Sequence, residues 1–474
     1  MGVERRSLPL ISHRPARIVL LVFRDADTDS RVLKTASSLR AAGAEVLIVG
    51  LAPYRSSLRP GDDLVGDGLA LHRTQDLDLV RALGPLVRLW RRLGSRDPIT
   101  GMATTRGTAV EQLPNGDGSL PEQTPAIADT RDAGRPSRRT TGMKPRLNDV
   151  YMRGYRTIRL VKYWAGAVAA ARRFEADVVH ANDGNTLAPA IFLRLVTGAR
   201  IVYDSHELWL RRNVRADRWL APFVESVTER LGVRMADAVI TVSPSIAAWL
   251  KSTYHLPESP MVVRNVPVWE GAPSRSKGRL REMAGLTPSE RVVSYCGGIT
   301  TGRGLEETVD ALAVLPDDVH FVVLGFGPPG YRAELLRRAR DLGVERRVHL
   351  VGHVAVPDVP QTLADADLAI VFVRPIVLSY RYCLPNKLFE SIHAGLPIVS
   401  ADLPDCADVV RNHGVGEVFS TRTPGELAAA TTRVLAHSER YRDAARAFAP
   451  QLDWRMEAGR LIEAHSRAVQ RCRP

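Results

Sequence analysis

Residues 385–400 read PNKLFESIHAGLPIVS, a helix-like run followed by a short β-branched strand, and Lys387 falls in the first turn of that helix. The start of a helix carries partial positive charge and unpaired amide donors, so a lysine there is misplaced unless an anion lies between them. A phosphate resolves the conflict. Pro385 suits the first helical position, and Lys387 and Glu390 are three residues apart on one face. A cation and a carboxylate aimed together at one helix end can grip a nucleoside diphosphate and its ribose. An ordinary surface Lys–Glu pair satisfies this segment equally well.

Working outward, the unit repeats. RVVSYCGGI (291–299), VHFVVLGFG (319–327), VHLVGHV (348–354), LAIVFVRP (368–375) and PIVSAD (397–402) are short apolar strands, each separated from the next by helical patterns. The amino-terminal half has the same grammar in ARIVLLVF (16–23), AEVLIVG (44–50), ADVVHAND (176–183), ARIVYDSHE (199–207) and ADAVITVSPS (236–245). Buried strands alternating with amphipathic helices define an α/β class of two Rossmann-like domains, whose ligands sit at the carboxyl ends of the strands. The predicted boundaries are 15–265 and 280–445, joined by the Gly-, Pro- and Ser-rich GAPSRSKG (271–278), with a helical tail over 446–474. Residues 91–150 are rich in Gly, Pro, Thr, Arg and Asp, a composition that predicts a disordered insertion. Its flanks, 78–93 and 151–174, are basic and partly apolar, which fits either a membrane-surface contact or a helix packed on the sheet with its arginines in solvent.

The 474 residues, 45% hydrophobic, suffice for two or three domains. Four scattered cysteines without a CxxC pair indicate neither a disulfide framework nor a zinc knuckle, and a reducing cytosol is the expected compartment. No stretch is long enough to cross a bilayer. The net charge of +13 implies an acidic partner: nucleic acid, an anionic leaflet or phosphorylated substrates. With aromatic residues at 6%, the interleaved basic and stacking pattern of nucleic-acid binders is missing. Neither GxSxG nor GxxxxGK[ST] occurs, which excludes the usual α/β-hydrolase and P-loop readings.

Chemistry-bearing residues cluster at predicted strand ends. Gly297 and Gly298, followed by Arg303 and Gly304, form a candidate phosphate cradle. Gly325 and the Gly352–His353 turn add further points of close approach. In the first domain, His180 with Asp183 and His206 with Glu207 end successive strands. Neither of these first-domain pairs has the His-x3-His spacing of a zinc helix, and no DxD cluster offers obvious metal carboxylates, so no tightly held metal and no cofactor is expected.

These runs together resemble the retaining glycosyltransferases of the GT-B fold, family 4 group. The likeness rests on DSRVLKTASSLRAAG (29–43), HAND (180–183), YDSHEL (203–208), TVSPS (241–245), RNVP (264–267), the Gly297 to Gly304 loop and, most specifically, residues 385–400. It implies a nucleotide-sugar donor held by Gly297, Gly298, Arg303, Gly325, Asn386 and Lys387, with Glu390 on the ribose and His353 beside the nucleobase. The catalytic group it implies is His206 with Asp29 and Glu207, and the acceptor side carries His180 and Asp183. Transfer of a hexosyl group would retain anomeric configuration by a front-face route, the leaving phosphate taking the acceptor proton. A glycan or lipid-linked acceptor, a cytoplasmic location and an anionic membrane surface at the inner face go with this reading. Many members carry an additional glutamate where this chain has Tyr382. A nucleotide-sugar 2-epimerase of the same fold and a non-catalytic basic binding protein are the competing readings.

Overall fold

The computed structural model describes residues 7–27, 29–52, 58–77, 143–213, 221–421 and 425–472, with backbone alone for 143–153 and 221. Two sheets organise it. The first comprises β1 (Arg17–Leu21), β2 (Glu45–Ala52), β3 (Gly61–Val65), β4 (Leu69–Gln75), β5 (Val178–Asn182), β6 (Arg200–Ser205), β7 (Ala238–Thr241) and β8 (Met261–Val262), in the order β3-β4-β2-β1-β5-β6-β7-β8. All neighbours are parallel except β3 and β4. The second comprises β9 (Arg291–Cys296), β10 (Val319–Leu324), β11 (Val348–Leu350), β12 (Leu368–Val371), β13 (Ile398–Ala401) and β14 (Gly416–Phe419), all parallel in the order β11-β10-β9-β12-β13-β14.

Strand residues are apolar on both faces because helices cover both. In β1, Ile18 and Leu20 enter one core while Val19 and Leu21 enter the core on the opposite face. The strand order reverses between β1 and β5 in one sheet and between β9 and β12 in the other, which leaves a crevice at each reversal. β3 escaped the sequence reading because its Asp62 and Asp63 are exposed on an edge strand.

Two expectations are corrected. The segment 446–474 is no appended tail: the helix Trp454–Gln470 returns to the first lobe, packing on β5 to β8 and on the helix Ser30–Ala41. Glu457 anchors it, accepting from the Arg264 backbone N–H at 3.0 Å and from its guanidinium at 2.8 and 2.6 Å. Of the expected disordered insertion, residues 143–150 are helical, forming the start of Met143–Arg173, and 91–142 lie outside the described residues, as does the flank 78–93. The other flank packs part of its apolar surface inward and leaves Ile158 and Val161 exposed. Tyr163 is buried with its hydroxyl on the Val49 carbonyl at 3.2 Å, whereas Arg156 is in solvent and Arg159 pairs with Asp76 at 2.6 Å.

Candidate functional site

At the reversal point of the second sheet, β9 runs into Gly297 (φ 124°) and Gly298, and the loop closes through Gly304 (φ 74°), which precedes the helix Leu305–Leu312. These conformations favour glycine. Packing demands it too: a Cβ on Gly325 would lie 1.9 Å from the Gly297 carbonyl oxygen, and one on Gly304 would lie 2.2 Å from the Phe372 ring. Glycine here keeps the loop low over the strand ends, leaving room above it for a phosphate.

Lys387 stands in the first turn of Asn386–His393, as the sequence indicates, but Pro385 lies one residue before the helix (ψ 145°) rather than in its first position. The Lys387 ammonium is buried, 3.6 Å above the Tyr295 ring, and has no hydrogen-bond partner. Burial, and then the Arg303 guanidinium, lower its pKa to about 7. A Cβ added to Gly297 would lie 3.6 Å from the same ammonium. Glu390 lies one turn on, with its carboxyl raised by burial and 3.5 Å from Cys296 Sγ. Asn386 is exposed at the helix start, and His353, also exposed, packs edge-on to Phe326 at 5.4 Å. Gly297, Gly298, Arg303, Lys387 and Glu390 therefore converge at the carboxyl end of the second sheet.

Opposite, the ends of β5 and β6 build a second cluster. Asp204 is fully buried and holds Arg31 bidentately at 2.8 and 2.8 Å. Burial alone would raise its pKa, yet the charges of Arg31 and His206 carry it well below the carboxylate range. The His206 ring lies between two carboxylates, with Nε2 3.2 Å from Asp204 and Nδ1 3.4 Å from Asp183, while Asp183 also accepts the His206 backbone N–H at 3.0 Å. Burial opposes protonation, but Asp183 and Asp204 outweigh it and raise the pKa of the ring. Two carboxylates this close favour the protonated ring, a form suited to orienting a ligand and stabilising negative charge.

The other expected residues divide. Glu207 reaches the second lobe, accepting from Ser379 Oγ at 3.4 Å. Asp29 caps the helix Ser30–Ala41, accepting the N–H groups of Arg31 and Val32 at 3.2 Å each, so its carboxylate is committed to holding that helix and Arg31 in place. His180 does not line the acceptor side. It is fully buried beneath His206, its ring stacked on His465. Tyr382 packs against the first-lobe core and its carbonyl accepts from Ser243 Oγ at 2.8 Å, so the residue replacing the usual glutamate seals the seam between the lobes. Arg31 and Lys34 were missed. Both lie in the quoted run 29–43, but nothing local announces that Arg31 meets Asp204, or that Lys34, held by Asn265 Oδ1 and the Val266 carbonyl at 2.7 Å each, acts electrostatically on Glu390 across the cleft.

Two cavities, of about 530 Å³ against Arg73 and Lys162 and about 350 Å³ beside His349, lie away from this cleft.

Residues 290–437 match the family described as "Glycosyl transferases group 1", and residues 117–267 the "Glycosyl transferase 4-like domain". The chain is a GT4-type glycosyltransferase of the GT-B fold. A D-inositol 3-phosphate glycosyltransferase from Mycolicibacterium gilvum is 25% identical over 326 residues, 67% of each chain. Among solved structures, a sucrose-phosphate synthase from Thermosynechococcus elongatus superposes with a TM-score of 0.64 at 16% identity, covering 96% of this glycosyltransferase and 97% of that chain. Anabaena HepE in complex with UDP-glucose gives 0.63 at 17%, covering 95% and 99%. At these identities the structures establish the GT-B architecture. No described helix of this glycosyltransferase is long and apolar enough to cross a membrane.

Proposed function

We propose that this glycosyltransferase moves a hexosyl group from a nucleoside-diphosphate sugar to a hydroxyl of a glycan, lipid-linked or small-molecule acceptor, with retention at the anomeric carbon. The observation that carries the donor assignment is the buried Lys387 ammonium, unpartnered and aimed at the glycine loop. An isolated buried cation is costly, and a diphosphate supplies the missing counter-charge. Arg303 shares that charge, Gly297, Gly298 and Gly325 allow the phosphates to approach, and Asn386 and the helix start border them. Glu390 accepts from the ribose and His353 flanks the base. UDP is the first donor nucleotide to try, since HepE is solved with UDP-glucose.

His206, supported by Asp183 and Asp204 and backed by Glu207, faces the sugar. Because two carboxylates favour the protonated form of its ring, it is poorly suited to take the acceptor proton. The departing phosphate does so, and the two cations neutralise the charge that grows on it. Asp29 acts by fixing the position of Arg31. No metal or cofactor enters this scheme. The test is a panel of UDP-, GDP- and TDP-sugars with acceptors, the product configuration being read by NMR. Inversion would refute retention, conversion of donor without acceptor would indicate the epimerase, and an untouched panel would indicate a binding protein.

A second partner, an anionic membrane surface at the cytoplasmic face, has its own observation. The helices Leu187–Thr197 and Ala221–Met235 pack side by side and expose Phe192, Leu195, Val196, Phe223, Val227 and Leu231. Arg230 and Arg234 are exposed on the second helix, while its acids are buried (Glu229) or half-buried beside Arg212 (Glu225). An apolar face fringed by cations alone suits an acidic leaflet. Sedimentation with anionic vesicles should fall as salt rises and in a Phe223→Ser/Leu231→Ser variant. Equal binding to neutral vesicles, or none to either, would refute it.

A further inference from the structure

The helix Trp454–Gln470 brings one more histidine beneath the site. His465 Nδ1 lies 2.9 Å from the Leu461 carbonyl, its Nε2 lies 3.1 Å from His180 Nδ1, and His180 Nε2 lies 3.5 Å from Asp204 Oδ2, the oxygen that also meets His206. Both rings are fully buried. A carbonyl can only accept, so the proton on His465 is at Nδ1 and its Nε2 is an acceptor. His180 must then donate from Nδ1. In a neutral His180 that leaves a lone pair on Nε2 facing Asp204, and the 3.5 Å contact between them falls outside hydrogen-bond geometry.

We propose that His465 is a positioning residue for His206: by fixing His180 as its Nδ1–H tautomer, it prevents His180 from donating to Asp204, so that the charge of Asp204 left over by Arg31 stays with His206. This rests on the reading of His206 as the group facing the sugar. Burial, then the neighbouring His180, lower the pKa of His465 to about 3, which keeps it neutral and its tautomer single. The groups around His206 are Asp183 and Asp204, with Arg31 behind Asp204 and Arg24 3.9 Å from Asp183, and those around His465 are His180 and Asp204. The C-terminal helix thus reaches His206 through two rings and a carboxylate.

The test uses the full chain, with imidazole nitrogen NMR and kcat–pH profiles on the wild type, His465→Phe and His465→Gln. Phenylalanine keeps the stacked ring but removes the acceptor, and the glutamine carbonyl restores one. Wild type should show His180 protonated at Nδ1. In His465→Phe, His180 should change to the Nε2–H tautomer and donate to Asp204, and the His206 titration should move down by about one pH unit, the worth of one hydrogen bond. The alkaline limb of kcat should follow it with donor KM unchanged, and His465→Gln should return both toward wild type. A wild-type His180 protonated at Nε2, or a His206 titration indifferent to His465→Phe, would overturn the proposal, and the first needs no variant to fold. Should the NMR shifts occur while the kcat profile stays still, the relay stands and the assignment of His206 to the sugar falls.

Discussion

Replacing Lys387 with Met removes one ammonium from the proposed diphosphate seat while keeping most of its volume. A unit charge about 4 Å from a phosphate oxygen, at an effective dielectric of about 20, is worth about 4 kcal/mol. Because the Lys387 pKa is lowered to about 7 in the free protein, at pH 8 binding must first reprotonate it, which costs about 1.4 kcal/mol. The net loss for Lys387→Met is then about 2.6 kcal/mol, close to a hundredfold in Kd. The sign follows from the direction of the shift. Below pH 7 Lys387 is already charged and wild-type affinity does not change on its account. Above it, each pH unit weakens UDP binding about tenfold, since the bound anion raises the lysine pKa again and a proton is taken up. Calorimetry of UDP binding in two buffers of different ionisation enthalpy counts that proton directly. Equal affinity for the variant, or no proton uptake by the wild type at pH 8, would refute a phosphate at Lys387.

Other perturbations probe the surroundings. Arg31→Met leaves the Asp204 carboxylate buried without its bidentate partner and should cost about 3–5 kcal/mol of stability, read by denaturant unfolding; a loss below about 1 kcal/mol would show the pair to be dispensable. Gly325→Ala drives a methyl group into the Gly297 carbonyl, and UDP affinity should drop by about tenfold or more; unchanged binding by calorimetry would mean that the loop is not the phosphate seat. Glu229 accepts from Tyr203 at 3.0 Å and Tyr254 at 2.8 Å, and burial raises its pKa to about 7. A carboxyl raised above its unfolded value binds more protons when folded, so stability falls as pH rises from about 4.5 to about 7, by about 3 kcal/mol in all. Glu229→Gln should flatten that slope in urea titrations and be the more stable form at pH 8, and an unaltered slope would count against a titrating Glu229.

The two-domain α/β architecture was readable from local pattern alone, because a parallel strand covered on both faces must be apolar throughout, and runs such as RIVLL and VHFVVL announce this whatever surrounds them. The edge strand β3 was hidden for the same reason in reverse, being exposed and charged. The donor seat was partly legible too. Lys387 and Glu390 share one helix turn, and the Gly297 to Arg303 loop is continuous in sequence, so spacing already placed each half.

What tertiary structure alone decided is how groups distant along the chain share a charge. Asp204 meets Arg31 173 residues away and His180 meets His465 285 residues away, and no periodicity encodes either pairing. The same limit explains why His180 reads as an acceptor-side residue but turns its ring from β5 onto His465, and why Asp29 reads as catalytic but caps a helix. A side chain at a strand end has its type written locally. Whether it faces the cleft or a buried partner depends on which element crosses behind it, and here that element is the returning C-terminal helix.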